Sequence, residues 1–167
     1  VKGTFKPNNS VLNAGESGLA IRMFSPIAAL HDSEICLTGE GSLSLRPVSM
    51  IEKTLNELGA ECKTTNGYIP IHLKGPILGG EAKVDGSVSS QFLTGLLFTL
   101  PLLKTDSKLI VDNLTSKPYI DITISVLNDF GIQITHDNYK LFQIKGNQIY
   151  NAREYFVEGD WSGAAFL

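Results

Sequence analysis

The chain has 167 residues with a formal net charge of −3, 43% of them hydrophobic and 19% charged. That is ample apolar material for one domain with a real core, which excludes a disordered chain. The net charge argues against general nucleic-acid affinity, and no apolar run approaches the roughly 18 to 20 residues that span a bilayer, so a soluble, cytoplasmic protein is expected, without nucleic-acid or membrane partners.

Gly15-Glu16-Ser17-Gly18 opens the first predicted helix, in which Ala20, Met23, Phe24 and Ile27 share one face. Pro26 falls inside this pattern and predicts a kink or an early end. A strand is expected over 34–38. Arg46-Pro47 then opens a second helix (Val48, Ile51, Leu55, Leu58) stopped by Gly59, with proline near the first turn and glycine just past the end. Strands over 60–64 and 68–73 flank the turn Asn66-Gly67 and finish in Lys74-Gly75. A further strand over 82–85 is read as closing the unit.

The same grammar then recurs. A serine-rich stretch precedes an apolar helix over 92–103, carrying Phe92, Leu93, Leu96, Leu97 and Leu100, and a strand over 108–112 follows. Lys117-Pro118 opens a helix (Ile120, Thr123, Ile124, Leu127) stopped by Gly131; strands over 132–136 and 139–144 lead to Lys145-Gly146, and one over 154–158 is read as closing this unit. Gly59 and Gly131 are 72 positions apart, Gly75 and Gly146 are 71 apart, and Ser17, Ser89 and Ser162 mark three helix starts at the same period. Helices as apolar as the third must be covered on several sides, so helices inside small mixed sheets are expected, an α/β architecture. Cys36 and Cys62 lack metal-ligand or redox spacing and are expected as buried thiols; His31, His72 and His136 are scattered and expected in turns or on sheet surfaces.

Four segments carry possible chemistry. Gly15-Glu16-Ser17-Gly18 could present backbone N–H donors to an anion at a helix start, or Ser17 could be an ordinary N-cap. Asp85-Gly86-Ser87-Val88-Ser89-Ser90-Gln91 offers hydroxyls and an amide suited to a phosphorylated or polyhydroxy ligand, or a serine-rich cap. Ser116-Lys117-Pro118-Tyr119 brings a hydroxyl, an ammonium and a phenol to a third helix start, and Arg46 could hold a carboxylate by paired hydrogen bonds. The P-loop, the dinucleotide fingerprint and a nucleophile triad are all missing.

Asp85 to Thr94 and Ser116 to Thr123 resemble signature stretches of the 3-phosphoshikimate 1-carboxyvinyltransferases, also called 5-enolpyruvylshikimate-3-phosphate synthases. Ala14 to Arg22, Leu37-Thr38-Gly39-Glu40 with Arg46-Pro47, and Val157-Glu158-Gly159-Asp160 resemble further family segments in the same order. The resemblance implies an inside-out α/β barrel of enolpyruvyl transferase-like repeats, and transfer of the enolpyruvyl group of phosphoenolpyruvate to the 5-hydroxyl of shikimate 3-phosphate. It implies no cofactor or metal, and a monomeric intact enzyme. By this resemblance Ser89, Ser90, Gln91, Ser116 and Tyr119 would bind shikimate 3-phosphate, and Gly18, Arg46 and Gln91 would contact phosphoenolpyruvate. Ser17, Ser89 and Ser116 are expected to open into one cleft.

Glu16 and Leu19 depart from the family's Asn and Thr, and Met23 from its proline. The family's acid/base groups have no counterpart here, so no catalytic residue is assigned. Residues 1–158 are expected to be a partial substrate-binding domain of two repeat units, with 159–167 starting a third repeat or the return to a second domain. Val1 is not Met and the apolar run to Leu167 reads as the first turns of a helix, so a chain cut at both ends, inactive alone, is expected. The competing readings are a UDP-N-acetylglucosamine enolpyruvyl transferase and a noncatalytic module on the same repeat. Calorimetry with shikimate 3-phosphate separates the module from the enzyme.

Overall fold

The structure, a computed structural model, describes residues 9–87 and 90–159. Its elements run β1 (Val11–Asn13), α1 (Gly18–Ala28), β2 (Glu34–Thr38), α2 (Ser49–Glu57), β3 (Glu61–Thr65), β4 (Tyr68–Lys74), β5 (Gly80–Asp85), α3 (Ser90–Thr99), β6 (Ser107–Asp112), α4 (Lys117–Asp129), β7 (Ile134–Asp137) and β8 (Leu141–Ile144). Short 3-10 turns occupy Gly41–Leu45 and Leu100–Leu102.

Two four-stranded sheets carry the repeat, ordered β1-β2-β4-β3 and β5-β6-β8-β7. In each, the first pair is parallel and the other two are antiparallel. The recurring Lys-Gly has a steric cause. A β-carbon on Gly75 would run into the carbonyl oxygens of Ala29 and His31, and one on Gly146 would lie 2.6 Å from those of Leu103 and Thr105. The exit of each second hairpin strand is thus pressed against the chain just beyond the first helix of its unit, α1 or α3. There the N–H of Ile77 bonds the carbonyl of Ala29, and that of Gln148 bonds the carbonyl of Pro101.

Alternation along the strands points Ile35, Leu37, Ile71 and Leu73 of the first sheet, and Leu109, Val111, Phe142 and Ile144 of the second, into one core. α3 lies deepest, with Phe92, Leu93, Leu96 and Leu97 all buried, and it packs on both α1 and α4. Helices inside and small mixed sheets outside are therefore observed.

The units begin one strand earlier than expected. β5 pairs with β6 in the second sheet, so it opens the second unit instead of closing the first, as β1 opens the first. The strand expected over 154–158 is not formed: residues 151–159 are exposed without regular structure, and the described residues form no third sheet for them to join. The helix start at Ser162 lies outside the described residues.

Pro26 acts where expected, and Pro101 shortens the third helix, which was expected to run on to residue 103. α1 stops two residues after Pro26, and Ser25 Oγ donates to the Arg22 carbonyl (3.2 Å), which the proline cannot satisfy. The helix expected over 92–103 ends at Thr99 and tightens into a 3-10 turn at Pro101. Cys62 is buried, but Cys36 is only half-buried, because it faces outward beside His72, its partner across the β2–β4 pair.

Candidate functional site

Three helix starts were candidates, and the structure divides them. Ser17 is spent as a cap, its Oγ accepting the Ala20 N–H at 3.1 Å, and it does not line the cleft described below. Ser116 precedes α4 without making a side-chain cap, which leaves its hydroxyl for another partner. Ser89 lies outside the described residues; its neighbour Ser90 is buried at the head of α3.

Between α1, α3 and α4 opens a cleft of about 640 Å³. Ser90, Gln91, Ser116 and Tyr119, four of the five residues expected around shikimate 3-phosphate, line it together. Its remaining wall is largely apolar, with Met23, Phe98 and Val126, and no carboxylate, histidine or lysine of the described residues lines it.

The register of α3 against α4 is fixed by hydroxyls. Thr123 Oγ1 donates its one proton to the Tyr119 carbonyl at 2.8 Å, so the 3.0 Å bond between Thr94 and Thr123 has Thr94 as donor. Both threonines line the cleft and tie the helix bearing Ser90 and Gln91 to the one bearing Ser116 and Tyr119.

Beside this cleft two guanidinium groups converge on Gly18. A β-carbon there would sit 3.0 Å from Nη1 of Arg22 and 3.0 Å from Nη1 of Arg46, so a larger residue would push one or both guanidinium groups aside. Arg22 lies one turn into α1, 9% exposed, and its Nη1 donates to Gln91 Oε1 at 3.5 Å. Its buried Nε has no hydrogen-bond partner among the described residues. Burial, and then the charge of Arg46, pull its pKa below the ordinary arginine value. Among the described residues no carboxylate comes within ion-pair distance of either arginine.

Two like charges brought together, one desolvated and with a donor unused, oppose folding unless an anion joins them. The start of α1 adds backbone N–H groups and the positive end of the helix dipole at the same point. Gly18, Arg46 and Gln91, the residues expected around phosphoenolpyruvate, thus belong to one constellation, and Gln91 joins it to the hydroxyl-lined cleft. Arg22 was not among the expected site residues. An arginine between Ile21 and Ser25, on the buried side of an amphipathic helix, was the signal for it.

The repeated sheets around buried helices have the fold of the enolpyruvyl transferase class, and at their helix starts two guanidinium groups lie beside a hydroxyl-lined cleft. The chain belongs to the family of EPSP synthase, 3-phosphoshikimate 1-carboxyvinyltransferase, whose model matches residues 1–167. It is 42% identical to the 3-phosphoshikimate 1-carboxyvinyltransferase of Clostridium beijerinckii over 168 residues, covering 100% of this chain and 39% of that protein. The Haemophilus influenzae protein of the same name is 42% identical, with 99% and 40% covered. A solved EPSP synthase from Acinetobacter baumannii superposes with a TM-score of 0.80 at 26% identity, over 96% of this chain and 36% of that one. The chain thus spans about two fifths of the length of the curated relatives it matches.

Proposed function

We propose that this chain supplies the substrate-binding surface for transfer of the enolpyruvyl group of phosphoenolpyruvate to the 5-hydroxyl of shikimate 3-phosphate. In the net reaction an ether bond forms between the 5-oxygen and the enolpyruvyl carbon, the bond from that carbon to the phosphate oxygen breaks, and the hydroxyl proton is balanced by the inorganic phosphate that leaves protonated. Ser90, Gln91, Ser116 and Tyr119, with Ser89, hold shikimate 3-phosphate. Gly18, Arg46 and Gln91, joined by Arg22, hold phosphoenolpyruvate. The observation that carries the reading is the pair of guanidinium groups facing Gly18 without a carboxylate, next to a cleft lined by hydroxyls and an amide.

Residues 1–158 are read as a partial substrate-binding domain of two repeat units and 159–167 as the start of a third repeat or of the return to a second domain, and no proton-transfer group is assigned within them. Among the described residues no helix is long and apolar enough to cross a membrane. Two free thiols and phosphorylated substrates suit a reducing cytoplasm.

The test is calorimetry and phosphate release in the protein extended to the length of its relatives. Shikimate 3-phosphate should bind, and phosphoenolpyruvate should turn over in its presence. Arg46→Ala removes charged hydrogen bonds worth about 1.5 to 3 kcal/mol and should weaken phosphoenolpyruvate at least about tenfold. Undetectable binding of both substrates to the wild type, or an unchanged affinity in Arg46→Ala, defeats the proposal.

A further inference from the structure

Glu16 has no part in the substrate contacts above, yet its position is tightly defined. The loop before α1 and the 3-10 turn before α2 lie side by side: Glu40 donates its N–H to the Gly15 carbonyl at 2.9 Å, and Ser42 donates its N–H to Glu16 Oε2 at 3.0 Å. Gly41 holds the left-handed φ of 56°, and any β-carbon there would collide with the Glu16 carboxylate, which lies directly over it. One residue further on, Ser42 Oγ accepts a hydrogen bond from Arg46 Nη2 at 3.3 Å. A short relay therefore runs from the Glu16 carboxylate through the backbone and hydroxyl of Ser42 to the guanidinium that faces Gly18.

We propose that Glu16 is a positioning residue for Arg46, holding the Ser42 turn so that the guanidinium is presented to the anion pocket. A carboxylate suits this role because it accepts the Ser42 N–H strongly while remaining outside ion-pair distance of Arg46, which keeps that positive charge available to a ligand. The inference rests on the reading of Arg46 as an anchor for phosphoenolpyruvate.

The experiment uses steady-state kinetics in the protein extended to the length of its relatives. Glu16→Ala should raise KM for phosphoenolpyruvate about fivefold, a part of the effect of removing Arg46 itself because the guanidinium is misplaced and not lost, with KM for shikimate 3-phosphate and kcat within about twofold of wild type. Glu16→Gln keeps an acceptor for the Ser42 N–H and should recover most of the loss. Ser42→Ala, which cuts the hydroxyl link alone, should raise the same KM. In an Arg46→Ala background Glu16→Ala should add nothing, because the group it positions is gone. An unchanged KM in Glu16→Ala, an equal effect in the Arg46→Ala background, or a parallel change in kcat and both KM values overturns the proposal. A wild type that binds neither substrate defeats the functional reading instead, so the two failures are distinct.

Discussion

Gly95→Ala should destabilise the chain although alanine is the better helix former. Gly95 lies mid-helix in α3, where a β-carbon would sit 3.0 Å from both Cα and the carbonyl carbon of Met23 in α1, and closer still to the Met23 oxygen. Ordinary carbon contacts need roughly 3.5 to 4.0 Å, so the two backbones must part by about half an ångström or more. No flexible side chain is there to swing aside. Overpacking of this kind costs about 1 to 3 kcal/mol, with backbone contact at the upper end, and helix propensity returns up to about 1 kcal/mol. The net of about 2 kcal/mol corresponds to a fall in Tm of about 4 to 8 °C for a chain of this size. Thermal unfolding followed by circular dichroism measures it, with Gly159→Ala as the control, since a β-carbon there meets nothing within 4 Å. A Gly95→Ala protein as stable as wild type, or more so, would refute the close crossing of α1 and α3. That crossing also sets the distance from Arg22 to Gln91.

Thr94→Val keeps the shape of the side chain but removes the proton donated to Thr123, at a cost of about 1 kcal/mol, and Thr94→Ser should restore it; a melt showing valine equal to threonine would mean the hydroxyl pair does not hold α3 to α4. Burial, reinforced by the Glu52 charge, pushes the Cys62 thiol up to about 12 from its usual 9.0. A raised folded pKa gives stability that is complete below about pH 9 and is lost as pH climbs toward 12, so urea midpoints should fall across that window and Cys62→Val should flatten the fall. Tyr150→Phe deletes the 2.7 Å bond from the phenol to the Phe98 carbonyl and should cost about 1 kcal/mol in chemical denaturation.

Much of the fold was legible because its repeated positions answer local demands. Gly59 and Gly131 end helices with φ of 90° and 84°, and Gly75 and Gly146 touch backbone carbonyls, so one residue type recurs at one period. The unit boundary was not legible, because whether β5 closes one sheet or opens the next depends on a partner, β6, more than twenty residues away. β1, at three residues, is too short for alternation to announce it. In the site, Ser90 and Gln91 come from one motif and Ser116 and Tyr119 from another, and all four line one cleft, whereas Ser17 matched by period and proved to be a cap. Arg22, an arginine on the buried side of an amphipathic helix, was a signal that named no partner. That partner is Arg46, from a different element, whose guanidinium also faces Gly18.

The outer edge of β5 is covered from the first unit: Thr54 of α2 donates to the Lys83 carbonyl at 2.8 Å, and Glu57 of α2 accepts the Lys83 N–H at 2.8 Å. Asp129, at the end of α4, binds Arg153 in the segment that follows the second unit. Construction of this molecule accordingly has a polarity. A completed unit offers its successor a ready landing place before that successor has a sheet of its own, so a chain emerging from its amino end can add each unit onto a finished neighbour.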